Sequence, residues 1–82
     1  MQETKIYEST DFEDALISQT LDEVMEILEE RGYDPIKQIV GYLVSKDPGY
    51  ITSHKEARKR ITKFDRNRIM EFLVRNYKKW EY

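Results

Sequence analysis

The chain has 82 residues, a formal net charge of −2 at pH 7, one histidine and no cysteine. The length fits one small domain, and the histidine and cysteine counts exclude disulfides and a thiolate or histidine-rich metal site. Because small domains without these devices often gain stability by self-association, we expect a homodimer. There is no apolar run of about 18 residues and no basic-then-apolar leader, so we expect a cytoplasmic protein without a membrane span or a cofactor.

Charge is distributed unevenly along the chain. Residues 1–30 contain ten acidic residues and one basic residue, whereas residues 31–82 contain thirteen basic and six acidic ones. The simpler interpretation is that an acidic helix lies beside basic helices, within a monomer or across a dimer. The alternative is a basic face that binds an anionic partner.

Residues 1–11 are polar and lack helical periodicity. This pattern predicts a flexible N-terminal arm that precedes one helical domain, residues 12–82. Thr4, Ser9 and Thr10 carry hydroxyls that a protein kinase could reach in such an arm. Ser9, Thr10 or Asp11 could instead cap the first helix, but no predicted helix follows Thr4 closely enough to be capped by it.

The first long helix is predicted over residues 12–31, because apolar residues recur there at helical spacing. The members of this stripe are Ile17, Leu21, Val24 and Leu28, flanked by Leu16, Met25 and Ile27. Acidic residues fill the opposite face. We interpret them as a solvated surface and not as paired catalytic carboxylates, since no histidine or lysine accompanies them at a suitable spacing.

A second helix is predicted over residues 35–45. Gly32 can end the preceding helix in the left-handed conformation, and Asp34 with Pro35 can cap and begin the next one. The second helix is apolar on nearly all sides, so we expect it to be buried on more than one face, with a second subunit as one possible neighbour. Gly41 within it indicates the close approach of another helix.

Three tyrosines, Tyr33, Tyr42 and Tyr50, cluster around this second helix. They are either core residues with the hydroxyl at the edge or a contact surface for another protein. Residues 47–50, Asp-Pro-Gly-Tyr, match a type II turn, because proline and glycine stand where that turn needs them.

Ser53 and Glu56 match a capping box that opens a third, basic helix, residues 54–63. Its candidate residues for binding an anion or nucleic acid are Lys55, Arg58, Lys59 and Lys63. A helix, a tight turn and a basic helix outline a helix-turn-helix, so a dimeric DNA-binding protein is the alternative function. The acidic overall charge argues against it.

A fourth helix is predicted over residues 66–80, with Asp65 as its cap and an apolar row that ends at Trp80. Trp80 either docks on the fold or a partner subunit, or is a partly exposed tail residue. The predicted fold is therefore all-α, a small bundle of four main helices with a helix-turn-helix-like centre.

No phosphate loop, nucleophile–base pair or nucleotide fingerprint occurs in the sequence, so we expect no enzymatic activity.

The most distinctive string lies in residues 32–58 and reads GY-D-PI-QIVGYL-S-DP-Y-I, continuing into HK-AR. It resembles the IreB family of small bacterial regulatory phosphoproteins, and the resemblance extends over nearly the whole chain. Three positions depart from the family pattern. Asp34 stands where asparagine is usual, Lys46 where glycine is usual and Gly49 where alanine is usual, and none of these changes alters the expected turns.

The resemblance implies a cytoplasmic regulatory phosphoprotein. Its partners would be a Ser/Thr kinase with extracellular PASTA repeats and a matching phosphatase, and it would act as a negative regulator in cell-envelope stress signalling through protein–protein contacts. The family's phosphorylation motif is a threonine, two residues and an aromatic residue. Thr4 with Tyr7 resembles it, so Thr4 is the implied phosphosite. The family's second threonine falls at Met1, so that site is absent here.

A phosphate on Thr4 would add negative charge to an arm that already holds acidic residues. The arm would then relocate, either by repulsion from the acidic first helix or by attraction to Lys55, Arg58 and Lys59. Either movement would expose or cover the tyrosine surface.

Overall fold

A computed structural model describes the backbone of residues 3–79 and the side chains of residues 12–77. Four α-helices and two short 3₁₀ helices make up this part of the chain. The α-helices are α1 (Glu3–Glu30), α2 (Pro35–Ser45), α3 (Ala57–Ile61) and α4 (Arg66–Lys79), and the 3₁₀ helices are Pro48–Tyr50 and His54–Glu56. The predicted all-α class is confirmed, and residues 3–79 contain no strand.

Helix α1 supplies the surface on which the core is built. Its predicted stripe is buried, with Ile17, Val24 and Leu28 fully inaccessible to solvent. Helices α2, α3 and α4 each contact α1. The residues that they and their connections add to the core are Ile39, Tyr42, Leu43, Ile51, Ala57, Ile61 and Ile69.

Helix α1 begins at Glu3, nine residues before the predicted start at residue 12. The prediction relied on apolar periodicity, which the first eleven residues lack. Once a helix has nucleated, each further residue costs little to add, and the chain holds no glycine or proline before Gly32. The predicted boundary was therefore wrong for the backbone of residues 3–11, while the flexibility of the arm stays a prediction.

The docking of Trp80 and the missing phosphosite at Met1 concern residues that lie outside the described part of the chain.

The connection between α1 and α2 forms as the sequence predicts. Gly32 has φ +81°, the Tyr33 N–H donates to the Leu28 carbonyl over 2.9 Å, and the Gly32 N–H donates to the Glu29 carbonyl over 3.0 Å. This is the Schellman arrangement that ends a helix. An Asp34 carboxylate oxygen then accepts from the Ile36 and Lys37 N–H groups, while Pro35 occupies the first position of α2.

The next two connections differ from the prediction. Pro48–Tyr50 is a 3₁₀ helix and not a type II turn. Asp47 accepts a hydrogen bond from the Gly49 N–H over 2.9 Å, and Gly49 does not take a positive φ. A short aspartate side chain thus sets this turn, because it satisfies the N–H group that the turn leaves open.

The capping box of Ser53 and Glu56 does not form. Ser53 makes no cap hydrogen bond, and the Thr52 hydroxyl accepts from the His54 N–H instead. Lys55 and Glu56 both have left-handed backbone angles, with φ values of 50° and 63°. They divide the predicted helix 54–63 into a 3₁₀ turn and a five-residue α3.

Gly41 gives close access to an aromatic ring and not to a helix. A Cβ atom at this position would lie 2.6 Å from Cδ1 of Tyr50. The ring of Tyr50 therefore rests directly on the backbone of α2, which couples the 3₁₀ helix Pro48–Tyr50 to α2. The prediction that another helix approaches Gly41 was wrong.

The Gly41→Ala substitution should destabilise the fold. Overpacking against Tyr50 costs about 1–3 kcal/mol, and the gain of about 1 kcal/mol in helix propensity offsets only part of it. Urea unfolding followed by circular dichroism measures the change. In a Tyr50→Ala background the same substitution should instead raise the unfolding free energy by up to about 1 kcal/mol. An equal loss of unfolding free energy in both backgrounds would show that the Tyr50 ring does not cause the destabilisation.

Candidate interaction surfaces

The three predicted tyrosines do not form one surface. Tyr42 is only 5% exposed and belongs to the core, so its assignment to a contact surface was wrong. Burial raises the pKa of the Tyr42 hydroxyl, and the nearby Arg66 guanidinium opposes this shift. Tyr33 and Tyr50 remain partly exposed, at 40% and 49%. Sequence alone could not separate the core tyrosine from the other two, because all three flank the same apolar helix.

The acidic face of α1 pairs with α3, α4 and the turn before α3. Glu30 binds Lys55 with an oxygen–nitrogen distance of 3.0 Å, and Glu23 binds Arg60 over 3.1 Å. Nearer the start of α1, a second set of ion pairs joins Glu13 and Asp14 to Arg68 and Arg75 of α4. The simpler interpretation of the uneven charge, an acidic helix beside basic ones, is thus confirmed within one chain for these residues.

Arg68 is the centre of the ion pairs with α4. It donates to Glu13 over 2.8 Å and to Glu71 over 2.7 Å. These hydrogen bonds, with that to Glu13 first, raise the pKa of the Arg68 guanidinium above its ordinary value. The guanidinium stays charged at any physiological pH, so this cluster acts as a fixed ionic clamp between α1 and α4.

Three basic residues of the predicted anion-binding face lie outside this pairing. Arg58, Lys59 and Lys63 make no ion pair with any carboxylate among the described side chains, whereas Lys55 is held by Glu30. Arg58 donates from Nε to the Ile51 carbonyl over 2.9 Å, which holds its guanidinium in one orientation. The structure therefore divides the four predicted residues into one neutralised lysine and three available cations.

A pocket of about 390 Å³ lies beside two of these cations. It is lined by Pro48, Ser53, Glu56, Arg58, Lys59 and Thr62. We call it the Arg58 pocket. The sequence pattern placed its basic residues on a helix face, whereas the structure adds Pro48 and Ser53, which precede the left-handed turn at residues 55–56, to the lining of the same pocket.

The short α3 bears on the alternative DNA-binding function. A helix that reads the major groove presents side chains from several turns, and α3 has only five residues. Glu23 neutralises Arg60 of this helix as well. The predicted recognition helix over residues 54–63 is therefore wrong as a continuous element.

A second surface is apolar and lies on α2 and α4. On α2, Ile36, Val40 and Val44 are 65%, 50% and 77% exposed, although they alternate with the buried core positions. Among the described side chains of α4, Ile69 is fully buried and Met70 and Phe72 are partly buried against the core, whereas Leu73, Val74 and Tyr77 are exposed. Between them runs a groove of about 210 Å³ whose lining is Leu21, Met25, Ile36, Ile39, Val40 and Leu73.

This apolar face corrects one expectation about α2. The helix was predicted to be buried on more than one side, with a second subunit as one possible neighbour. Among the described residues it is buried on one side only, and burial against a second subunit stays a prediction. The all-round apolar sequence of α2 was the feature that could reveal such a face, since a helix buried on one side normally carries polar residues on the other.

The described residues also lack two kinds of feature. Their side chains contain no group of three or more histidine, cysteine, aspartate or glutamate residues placed to hold a metal ion. In the same part of the chain, no helix has the length and apolar content that crossing a bilayer requires.

Thr4, the implied phosphosite, lies in the first turn of α1, and its side chain is not among those that the structure describes.

The described residues form a small all-helical domain with an exposed apolar face and a pocket beside two unpaired cations. The protein-family model described as IreB regulatory phosphoprotein matches residues 2–79. The match covers nearly the entire chain, so this protein belongs to the IreB family of regulatory phosphoproteins. The identification made from residues 32–58 is confirmed, and the family is one of regulators and not a known family of enzymes.

The Tyr42→Phe substitution tests the burial of this hydroxyl. Because the pKa of Tyr42 is raised above 10.0 in the folded chain, folding binds its proton more tightly. The resulting stabilisation is complete below the unfolded pKa and is lost as pH rises through the folded pKa. The variant should therefore lose less unfolding free energy than the parent above about pH 10. Chemical unfolding of the parent and the variant across this pH range measures the difference in unfolding free energy. An equal loss of unfolding free energy in both proteins above about pH 10 would contradict the prediction.

Proposed function

We propose that this chain is a cytoplasmic negative regulator in cell-envelope stress signalling that acts through protein–protein contacts. A PASTA-type Ser/Thr kinase phosphorylates Thr4, and a matching phosphatase removes the phosphate. Membership of the regulatory phosphoprotein family over residues 2–79 is the observation that carries this proposal. The run Thr4-Lys5-Ile6-Tyr7 supports the choice of site, because it resembles the family's threonine-centred motif.

The position of Thr4 gives the switch a physical basis. Phosphate adds roughly −1.5 to −2 charges in the first turn of α1. The helix dipole attracts a negative charge there, but Glu3 and Glu8 repel it. Phosphorylation thus changes the balance between an arm that continues α1 and an arm that leaves it. An arm that leaves α1 can reach another surface, which is how one phosphate would change the contacts of the whole protein.

The Thr4→Ala variant tests the site directly. After incubation with the cytoplasmic domain of the host's PASTA-type kinase, mass spectrometry should find stoichiometric phosphate on Thr4 of the parent and none on the variant. A Ser9→Ala/Thr10→Ala variant is the matched control and should be phosphorylated like the parent. Phosphate confined to Ser9 or Thr10 would keep the link to the kinase and refute Thr4 as the site.

A homodimer is the second part of the proposal. The face formed by the exposed apolar residues of α2 and α4 supports it, because apolar patches of this kind mark contact sites. The groove within the face is lined only by apolar side chains, so its occupant must be apolar as well. A second copy presents the same face, and a two-fold axis makes such a face complementary to itself.

A charge in this face should separate the subunits. Val40 is half exposed and lines the groove, so Val40→Glu would bury a carboxylate in the dimer but leave it solvated in the monomer. We expect sedimentation velocity to show a dimer for the parent. For the variant, the dissociation constant of the dimer should rise at least tenfold. Gln19→Glu adds the same charge at an exposed position of α1 and should leave the dimer intact. Equal effects of the two substitutions would contradict an interface at this face.

A further inference from the structure

We propose that the Arg58 pocket binds the phosphorylated N-terminal arm of a second copy of this chain, with the phosphate of Thr4 on Arg58 and Lys59. This inference rests on the phosphorylation of Thr4 proposed above. It assigns the phosphorylated arm a receptor within the protein itself, so that phosphorylation would link one copy to another.

The polar side of the pocket is suited to a phosphate. Arg58 is already oriented by its Nε hydrogen bond to the Ile51 carbonyl, so both Nη groups remain available as a pair of donors. Lys59 adds a second cation without a carboxylate partner among the described side chains. The Ser53 hydroxyl makes no cap hydrogen bond and can donate to a phosphate oxygen. A preoriented guanidinium loses little freedom on binding, which favours affinity.

The pocket also contains a negative charge, which favours a doubly charged phosphate over a singly charged carboxylate. Glu56 also lines it, so a weakly charged carboxylate peptide gains less there than a phosphate that carries about two negative charges. Lys63, exposed and two residues beyond the end of α3, extends the positive surface past the rim. Outside the phosphate, the arm supplies Glu3 and Glu8 as further acidic groups for that surface.

The rest of the pocket can hold an apolar neighbour of the phosphate. Pro48 and the aliphatic parts of Arg58, Lys59 and Thr62 form its walls. A volume of about 390 Å³ exceeds what a phosphate alone fills. In the arm, Ile6 and Tyr7 follow Thr4 closely, so one short segment carries both the charge and the apolar groups that the pocket would accommodate.

The geometry of α1 points to a second copy as the source of the arm. The pocket belongs to the part of the fold that contacts the C-terminal half of α1, where Lys55 binds Glu30 and Arg60 binds Glu23. Thr4 precedes Glu23 by 19 residues of continuous helix, which corresponds to about 28 Å along the axis. While the arm continues α1, it cannot reach the pocket of its own chain. To reach that pocket, it would have to leave the helix and give up about two of its turns. A second copy has no such restriction.

Binding is tested with synthetic peptides of residues 1–11, with and without phosphate on Thr4. The acceptor is the full chain carrying Thr4→Ala, and calorimetry at moderate salt measures the dissociation constants. We expect the phosphopeptide to bind at least tenfold more tightly than the unphosphorylated peptide. The Arg58→Gln/Lys59→Gln acceptor should lose at least tenfold in affinity for the phosphopeptide. Lys37→Gln removes an exposed lysine of α2 away from the pocket and should bind like the parent acceptor.

Equal binding of both peptides, or unchanged binding to Arg58→Gln/Lys59→Gln, would overturn the proposal. Because the peptides are synthetic, this test does not depend on any kinase. A failure here leaves the phosphorylation of Thr4 standing, and a failure of the kinase experiment leaves the peptide result intact.

The second-copy assignment has its own test. A phosphorylated donor chain carrying Arg58→Gln/Lys59→Gln is mixed with a ¹⁵N-labelled acceptor chain carrying Thr4→Ala. We expect concentration-dependent NMR shifts of Ser53, Arg58 and Thr62 in the acceptor. If these shifts occur only within a phosphorylated chain that has its own pocket, and do not depend on concentration, the arm binds its own subunit and the assignment to a second copy is wrong.

Discussion

Burial of the apolar stripe of α1 is the constraint on which the rest of the structure depends. Helices α2, α3 and α4 each contact this stripe, and α2 also packs against the 3₁₀ helix Pro48–Tyr50. The fully buried residues Ile17, Val24 and Leu28 fix the register of the other helices along α1. Since burial of one such side chain contributes about 1.5–3 kcal/mol, the loss of any one would remove a large part of the stability of a domain this small.

The ion pairs along α1 decide which charges remain available for binding. Glu23 and Glu30 hold Arg60 and Lys55, and Glu13 with Asp14 holds Arg68 and Arg75. These pairs are largely exposed and add modest stability, so their main effect is electrostatic. They neutralise Arg60 of α3 and Arg68 and Arg75 of α4, whereas Arg58 and Lys59 beside the Arg58 pocket have no carboxylate partner among the described side chains. A localised patch fits one phosphate better than the long backbone of a nucleic acid.

The described part of the chain leaves some of its apolar surface uncovered. Packing on α1 buries one side of α2 and the first turns of α4, and the remaining apolar residues face outwards. The apolar face and the Arg58 pocket involve different residues, so a dimer through the first would leave the second open. In the proposed regulator, this separation would let one surface hold subunits together while the other responds to phosphorylation.

Sequence by itself determined the features that depend on near neighbours along the chain. The stripe of α1, the helix end at Gly32 and the cap at Asp34 follow from local periodicity and local hydrogen bonds, and the string in residues 32–58 was distinctive enough to identify the family. Only the tertiary structure decided that Tyr42 is buried and that Lys55 is neutralised while Arg58 and Lys59 are not. These outcomes depend on contacts between residues far apart in sequence, such as Glu30 with Lys55. The left-handed turn before α3 also could not be predicted from the sequence, because Lys55 and Glu56 are residues that do not favour such a conformation.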